Sequence, residues 1–208
     1  PCVDAFSNGG LMVRAAVDAA GHLYTQRVLT PSQAAQWESW TLLAASASRA
    51  AGDVALCWHA LRWWLYVQRA DRWVMAYWSS DDGLTWNGPA TLYRPGRTAA
   101  LACIGPYLLV LESNLSAWHL APATPAWSGP YALAGFVPDS DKGVAAAAQS
   151  VGGALYVQVF LASGGGIRSV RYDPATQAYG PLLAVTPGRE QPLALSADCR
   201  WPALQAVE

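Results

Sequence analysis

The sequence predicts an all-β chain, a β-propeller of about five four-stranded blades, and three observations carry that reading. The same order of short strand-like runs recurs along the chain with a period of roughly 40–50 residues. An aromatic residue followed by Gly-Pro closes three of the copies. The runs are too short, and too rich in Val, Trp and Tyr with Pro spread throughout, to be helices.

The clearest copy passes through residues 53–59, 63–68, 73–78 and 86–92, runs of β-branched and aromatic residues separated by turn chemistry. The order repeats at 99–104, 107–111, 115–120 and 127–133, and again at 143–149, 154–160, 167–172 and 179–183. Trp86-Asn-Gly-Pro, Trp127-Ser-Gly-Pro and Tyr179-Gly-Pro each put an aromatic after the third turn and Gly-Pro before the last strand. A looser copy precedes them at 3–6, 11–17, 22–29 and 37–43, and a fifth has begun at 192–197 and 201–207. The expected blades are therefore 1–44, 52–93, 98–134, 142–184 and a partial 190–208, in a single domain spanning 1–208. A β-sandwich has no need of an aromatic-Gly-Pro in every unit. The half-length last copy leads us to expect either a ring closed by pairing the two ends or a chain belonging to a larger assembly.

Composition excludes several function classes. At 208 residues and 53% hydrophobic content the chain can bury a substantial core. Only 13% of residues are charged and the net charge is −1, so nothing draws phosphate backbones or anionic lipid, and nucleic acid is not an expected partner. The most apolar stretches, 144–148 and 155–162, fall well short of the roughly 20 residues of a membrane span. Cys2, Cys57, Cys103 and Cys199 lie far apart, with no Cys-x-x-Cys and no His at ligand spacing, so no metal is expected. Cys57 and Cys103 sit in apolar runs and read as buried thiols, whereas Cys2 and Cys199 are candidates for a disulfide joining the ends of a closed ring. Gly164-Gly-Gly166 lacks the helix and Lys of a phosphate loop, and no cofactor is expected.

Ser79-Ser80-Asp81-Asp82-Gly83-Leu84-Thr85-Trp86 fits the pattern Ser-x-Asp-x-Gly-x-Thr-Trp. Asp81 is suited to accept backbone N–H groups across its own turn, Gly83 to supply a positive φ, and Ser79 and Thr85 to satisfy remaining polar groups. Trp86 then enters the apolar seam between blades. The segment resembles the Asp-box of sialidase-like and related propeller families, where it forms the turn between the third and fourth strands of a blade. That resemblance implies a structural box on the face opposite an active site, so neither Asp81 nor Asp82 is expected to act as a catalytic acid. The other copies keep only fragments, such as Asp173 with Tyr179.

Sialidases of this architecture carry an arginine triad, one member in an Arg-Ile-Pro context, with a Tyr-Glu nucleophile pair and an acid Asp. Arg14 stands in Met-Val-Arg-Ala and Arg27 in Thr-Gln-Arg-Val, so the resemblance does not extend to that chemistry. No catalytic residue is assigned. A glycosidase would still need two carboxylates, to be drawn from Asp53, Asp71, Asp139, Asp141, Glu38 and Glu112. His22, His59 and His119 have no Ser or Cys partner in a recognised elbow and read as structural or surface residues. Eleven Trp is a surplus. Trp86, Trp127 and Trp37 suit blade seams, while Trp58, Trp63, Trp64, Trp73, Trp78 and Trp118 are either further core or stacking platforms for sugars, as in the propeller lectins the pattern also resembles.

We therefore expect a non-catalytic recognition or assembly module, extracellular or virion-associated. It would be carbohydrate-binding and adhesin-like, or a structural part such as a phage tail protein, with glycans or protein subunits as partners. The alternative is an Asp-box glycosidase. The turns after the second strands and the connections between blades share one face, which places the candidate ligand residues at Asp71, Arg72, Trp73, Arg94, Arg97, Asp139 and Asp141.

Overall fold

The computed structural model of the chain describes residues 3–8, 10–29, 37–44, 50–97, 99–104, 107–121, 124–136, 144–151, 154–163, 166–185, 194–197 and 204–207, and every regular element among them is a strand. The chain divides into two compact units, Pro1–Arg94 and Pro95–Glu208.

The first unit holds two antiparallel sheets, each with its four strands side by side in chain order. One comprises β1 (Val3–Ser7), β2 (Leu11–Val17), β3 (Leu23–Leu29) and β4 (Thr41–Ala44). The other comprises β5 (Ala50–His59), β6 (Arg62–Arg69), β7 (Val74–Ser79) and β8 (Asn87–Tyr93). Strict alternation in β2 buries Leu11, Val13, Ala15 and Val17 while the residues between them stay partly exposed. That face meets Leu56, Trp63, Leu65, Val67, Met75 and Tyr77 of the second sheet in one core. The second sheet has no such alternation: residues 54–57 and 65–68 are buried consecutively, so both of its faces are covered.

The second unit repeats the plan with β9 (Ala99–Ile104), β10 (Tyr107–Glu112), β11 (Ser116–Ala121) and β12 (Thr124–Ala132). Next come β13 (Val144–Val151), β14 (Ala154–Ser163) and β15 (Gly166–Asp173), whose outer neighbour is split into β16 (Ala178–Tyr179) and β17 (Leu183–Ala184). A hairpin of β18 (Ala194–Ala197) and β19 (Leu204–Val207) follows, the observed part of the incomplete fifth copy. Leu109, Leu111 and Leu115 pack on Val157, Val159, Leu161, Val170 and Tyr172 between the two larger sheets.

The Gly-Pro signal has a steric cause in two of its three copies. Gly88 and Gly129 adopt φ of 117° and 125°, and both precede a cis proline. A Cβ on Gly88 would stand 2.7 Å from the carbonyl oxygen of Ala76, and one on Gly129 2.6 Å from that of Ala117. The ladders slip at these points, between Ala76 and Trp78 and between Ala117 and His119. Each is a bulge that lets the outer strand bend back onto the third strand, and only glycine fits. Tyr179-Gly-Pro differs. Gly180 donates to the Arg171 carbonyl at 2.8 Å, a Cβ there would meet nothing closer than 3.6 Å, and the outer strand breaks in two.

Two other sequence expectations are corrected. Cys57 and Cys103 are both disulfide-bonded and not free thiols. An apolar setting does not distinguish a thiol from a half-cystine, because pairing depends on the approach of Cβ atoms. Cys2 and Cys199 lie outside the described residues. The closing strand of the first sheet joins its ladder at Thr41, not at Trp37.

The steric contrast among the glycines makes a paired test. Gly88→Ala should lower stability by about 2–4 kcal/mol, because it needs both a positive φ and a backbone shift. Gly180→Ala should stay within about 0.5 kcal/mol. Denaturant unfolding of the two variants checks this, and equal losses would contradict the steric account.

Candidate functional site

The segment 79–86, called the Asp-box below for its resemblance to that motif, forms the connection between β7 and β8, third and fourth strands of their sheet. Asp81 Oδ1 accepts from the Thr85 backbone N–H at 2.9 Å and from the Ser79 hydroxyl at 2.7 Å, and Oδ2 accepts from the Thr85 hydroxyl at 2.5 Å. Ser79 Oγ in turn accepts from Gly83 N–H at 2.9 Å. Asp82 and Gly83 take φ of 59° and 77°. These bonds, led by that from the Thr85 hydroxyl, hold the Asp81 carboxyl down to about 2. Trp86 packs against the core of the first unit. The sheet of β13–β17 has the same device in reduced form. Asp173 accepts from the Ala175 N–H and the Thr176 hydroxyl, each at 2.8 Å, which lowers its pKa.

Beside the box, within the first unit, lies a recess lined by Thr25, Gln26, Arg27, Glu38, Ser39 and Thr41 of the first sheet, and by Gly83 and Leu84 of the box. Arg27 Nε donates to Glu38 Oε2 at 2.7 Å, and its Nη1 donates to the Asp82 carbonyl at 3.2 Å. The hydrogen bond from Arg27 lowers the Glu38 pKa, so the pair is an ion pair at neutral pH. The Arg27 side chain is 14% exposed and that of Glu38 46%, which leaves the carboxylate accessible. Leu84 and Val13 supply apolar wall, Leu84 being 59% exposed.

Residues 37–40, which carry Glu38 and Ser39, run beside β3 without joining its ladder. Side chains and a backbone bond hold them. Gln26 Nε2 donates to the Glu38 carbonyl, and Glu38 N–H donates to the Arg27 carbonyl at 3.0 Å. The Arg14 guanidinium lies 4.0 Å from the ring centroid of Trp37 and 4.9 Å from that of Trp40. Trp37 is thus engaged with Arg14, where the sequence placed it in a blade seam.

The loops singled out from the sequence are partly brought together. Arg94 Nε donates to the Asp71 carbonyl at 3.1 Å, and Asp71 pairs with Arg69 at 2.9 Å and accepts from Trp73 N–H. Arg72 sits at φ 72° in the same turn, and Trp73 packs on the first unit's core. Arg97 is exposed and belongs to the second unit. Asp139 and Asp141 lie outside the described residues. Of the other carboxylates named from sequence, Glu112 is buried and accepts from Gly96 N–H, and Asp53 accepts from Val54 N–H.

Half of the six surplus tryptophans join the core: Trp63 is fully buried and Trp58 and Trp73 pack against its cluster. Trp64 stacks on Tyr66 with rings 4° from parallel and also meets Trp78. Two of the histidines hydrogen-bond neighbouring side chains. His22 Nδ1 bonds Asp18 at 2.8 Å, and the buried His119 Nε2 bonds the Tyr172 hydroxyl at 2.5 Å. Tyr131 and Tyr172 flank the His119 ring and Tyr179 lies against Tyr172, so no carboxylate of these contacts faces the imidazole. Burial lowers the His119 pKa to about 4 and raises that of Tyr172.

No protein-family model and no curated protein matches the chain. Solved structures do. A fungal lectin from Aleuria aurantia, a six-bladed β-propeller with a novel fucose recognition mode, matches with a TM-score of 0.57 and 11% identity, over 95% of this chain and 67% of its own. BBS1N, solved in complex with ARL6DN, matches at 0.56 and 13%, over 99% of this chain and 61% of its own. An engineered GH43 glycoside hydrolase with endo-xylanase and exo-arabinofuranosidase activity matches at 0.52 and 12%, over 90% and 42%. At such identities the likeness establishes the fold: these four-stranded sheets are blades of a β-propeller. The chain spans 42–67% of the length of these structures.

Two titrations test this geometry. Asp81 has its carboxyl near 2 in the fold against an ordinary 3.8, so its contribution is complete above about pH 4 and disappears as the pH falls toward about 2. Asp81→Ala should lower the melting temperature by several degrees at pH 7, and the gap to wild type should close at pH 2. His119 runs the other way in charge. Its pKa near 4, against 6.5 when unfolded, means the unfolded chain binds more protons between those values. Stability is therefore intact above about pH 6.5 and lost toward about pH 4, and His119→Gln should flatten that slope in thermal melts across the range.

Proposed function

We propose that the chain is a carbohydrate-binding β-propeller module whose glycan site is the recess around Arg27 and Glu38. The observation that carries the reading is the Arg27–Glu38 pair at 2.7 Å, set between a blade's outer edge and the neighbouring Asp-box. A guanidinium beside a carboxylate offers adjacent donors and acceptors, which is what neighbouring ring hydroxyls require. Ser39 and Thr41 add hydroxyls and Gln26 an amide, while the exposed Leu84 offers apolar surface for a sugar's C–H face above the buried Val13 and Thr25. Because the pair neutralises itself, selection rests on hydroxyl geometry more than on ligand charge. The propeller lectin among the matching structures, with its fucose recognition, adds weight to this reading.

Binding without hydrolysis is part of the proposal. Glycoside hydrolysis calls for two carboxylates flanking the scissile bond, and among the recess-lining residues only Glu38 is acidic and already engages Arg27.

A glycan array probed with the purified chain, followed by calorimetry on the strongest binder, tests the reading. Arg27→Ala and Glu38→Gln should each weaken binding at least tenfold, about 1.4 kcal/mol, with the fold intact by circular dichroism. Binding that survives both changes would move the site elsewhere, and an array with no binder would remove the function.

A further inference from the structure

We propose that Arg14, which does not line the recess, is the positioning residue that gives it its shape, by clamping the segment 37–40 from the opposite face of the first sheet; this rests on the reading of the recess as a glycan site. Glu38 and Ser39 belong to four residues outside the β3–β4 ladder, tied to β3 through their backbone by the bond from Glu38 N–H to the Arg27 carbonyl, which does not by itself fix the Glu38 and Ser39 side chains. Arg14 supplies what the ladder does not. Its planar guanidinium lies over Trp37 at 4.0 Å and near Trp40 at 4.9 Å, the residues on either side of Glu38 and Ser39. Both Nε, at 2.7 Å, and Nη2 donate to the one oxygen Gln26 Oε1. That orients the Gln26 amide so that its Nε2 donates to the Glu38 carbonyl.

The path from Arg14 to the carboxylate is thus continuous: guanidinium to Gln26, Gln26 to the Glu38 backbone, and Glu38 Oε2 to Arg27. A planar fork that stacks and donates through two nitrogens is arginine chemistry, and lysine offers only a point charge on a flexible stem. Arg14 therefore sets where the Glu38 carboxylate stands relative to Arg27 without touching a sugar itself.

The test uses the full chain, with methyl α-fucoside as the probe. Arg14→Met should weaken binding at least tenfold and shift tryptophan emission, since Trp37 and Trp40 lose their cation, while the melting temperature stays close to wild type. Arg14→Lys should recover part of the emission and part of the affinity; it also provides the comparison if the Met variant does not fold. The decisive reading is the double variant. If Arg14 acts through Glu38, Arg14→Met combined with Glu38→Gln should bind no more weakly than Glu38→Gln alone. Losses that multiply, or an Arg14→Met chain that binds as wild type, would overturn the clamp while leaving the glycan site standing. A wild-type chain that ignores the fucoside would overturn the clamp's role and the glycan reading for that sugar together, even where the emission shift is seen.

Discussion

A sheet buried on both faces cannot stand alone in water, and the sheet of β5 to β8 is such a sheet, with residues 54–57 and 65–68 buried one after another. A lone four-stranded meander would leave both of those faces wet, at roughly 25 cal/mol for every Å² of apolar surface. Face-to-face packing of successive sheets removes the problem, and within each unit the cores are built this way. Leu11, Val13, Ala15 and Val17 of one sheet close on Trp63, Leu65 and Val67 of the next, and Leu109 and Leu111 close on Val157, Val159 and Leu161. The aromatic residue after the third turn follows from the same demand. A twisted sheet packs well near its centre and opens toward its outer strand, and large rings such as Trp86 and Tyr179 fill the widening gap.

Features encoded within a few residues of chain were legible in the sequence. The Asp-box bonds link residues four apart at most, so the motif and its geometry are nearly the same thing. Strand order was legible because turn chemistry punctuates each run. The aromatic-Gly-Pro signal was half legible. It marks a bulge at Gly88 and Gly129, where the carbonyls of Ala76 and Ala117 crowd the glycine, but the same letters at Gly180 accompany a broken outer strand. Letters alone do not say whether a neighbouring carbonyl will be close.

The candidate site was not legible, for a different physical reason. Arg27 and Glu38 are eleven positions apart and meet only because the segment 37–40 returns beside β3. Nothing in Thr-Gln-Arg-Val or Trp-Glu-Ser-Trp announces the pairing, and a sparse charge read in loops drew attention to Asp71 and Arg94 instead. Those two do meet, but through a backbone carbonyl, with the Asp71 carboxylate already on Arg69. His119 and Tyr172 make the same point, since 53 positions separate a pair whose contact requires two sheets to be stacked first. Chemistry that depends on tertiary approach becomes visible only when the sheets are in place.

The position of the recess shows how this architecture can form a polar recess at little cost in stability. The seam between two blades must be apolar and closed near its centre, where Trp63 is wholly buried, yet the outer edge has no such obligation. There the chain can leave the regular ladder, as it does over residues 37–40, and combine a single backbone bond with side-chain bonds. Each backbone group so released still needs a partner. Glu38 shows both kinds of partner, its N–H on the Arg27 backbone carbonyl and its own carbonyl on the Gln26 side-chain amide, which leaves its carboxylate to face outward beside Arg27. The neighbouring Asp-box contributes a rigid opposite wall, because Asp81 has already satisfied the turn from within and the Asp82 carbonyl remains to receive Arg27. A polar site at a blade edge therefore needs one irregular segment and one self-contained turn, and the first unit supplies both without drawing on its core.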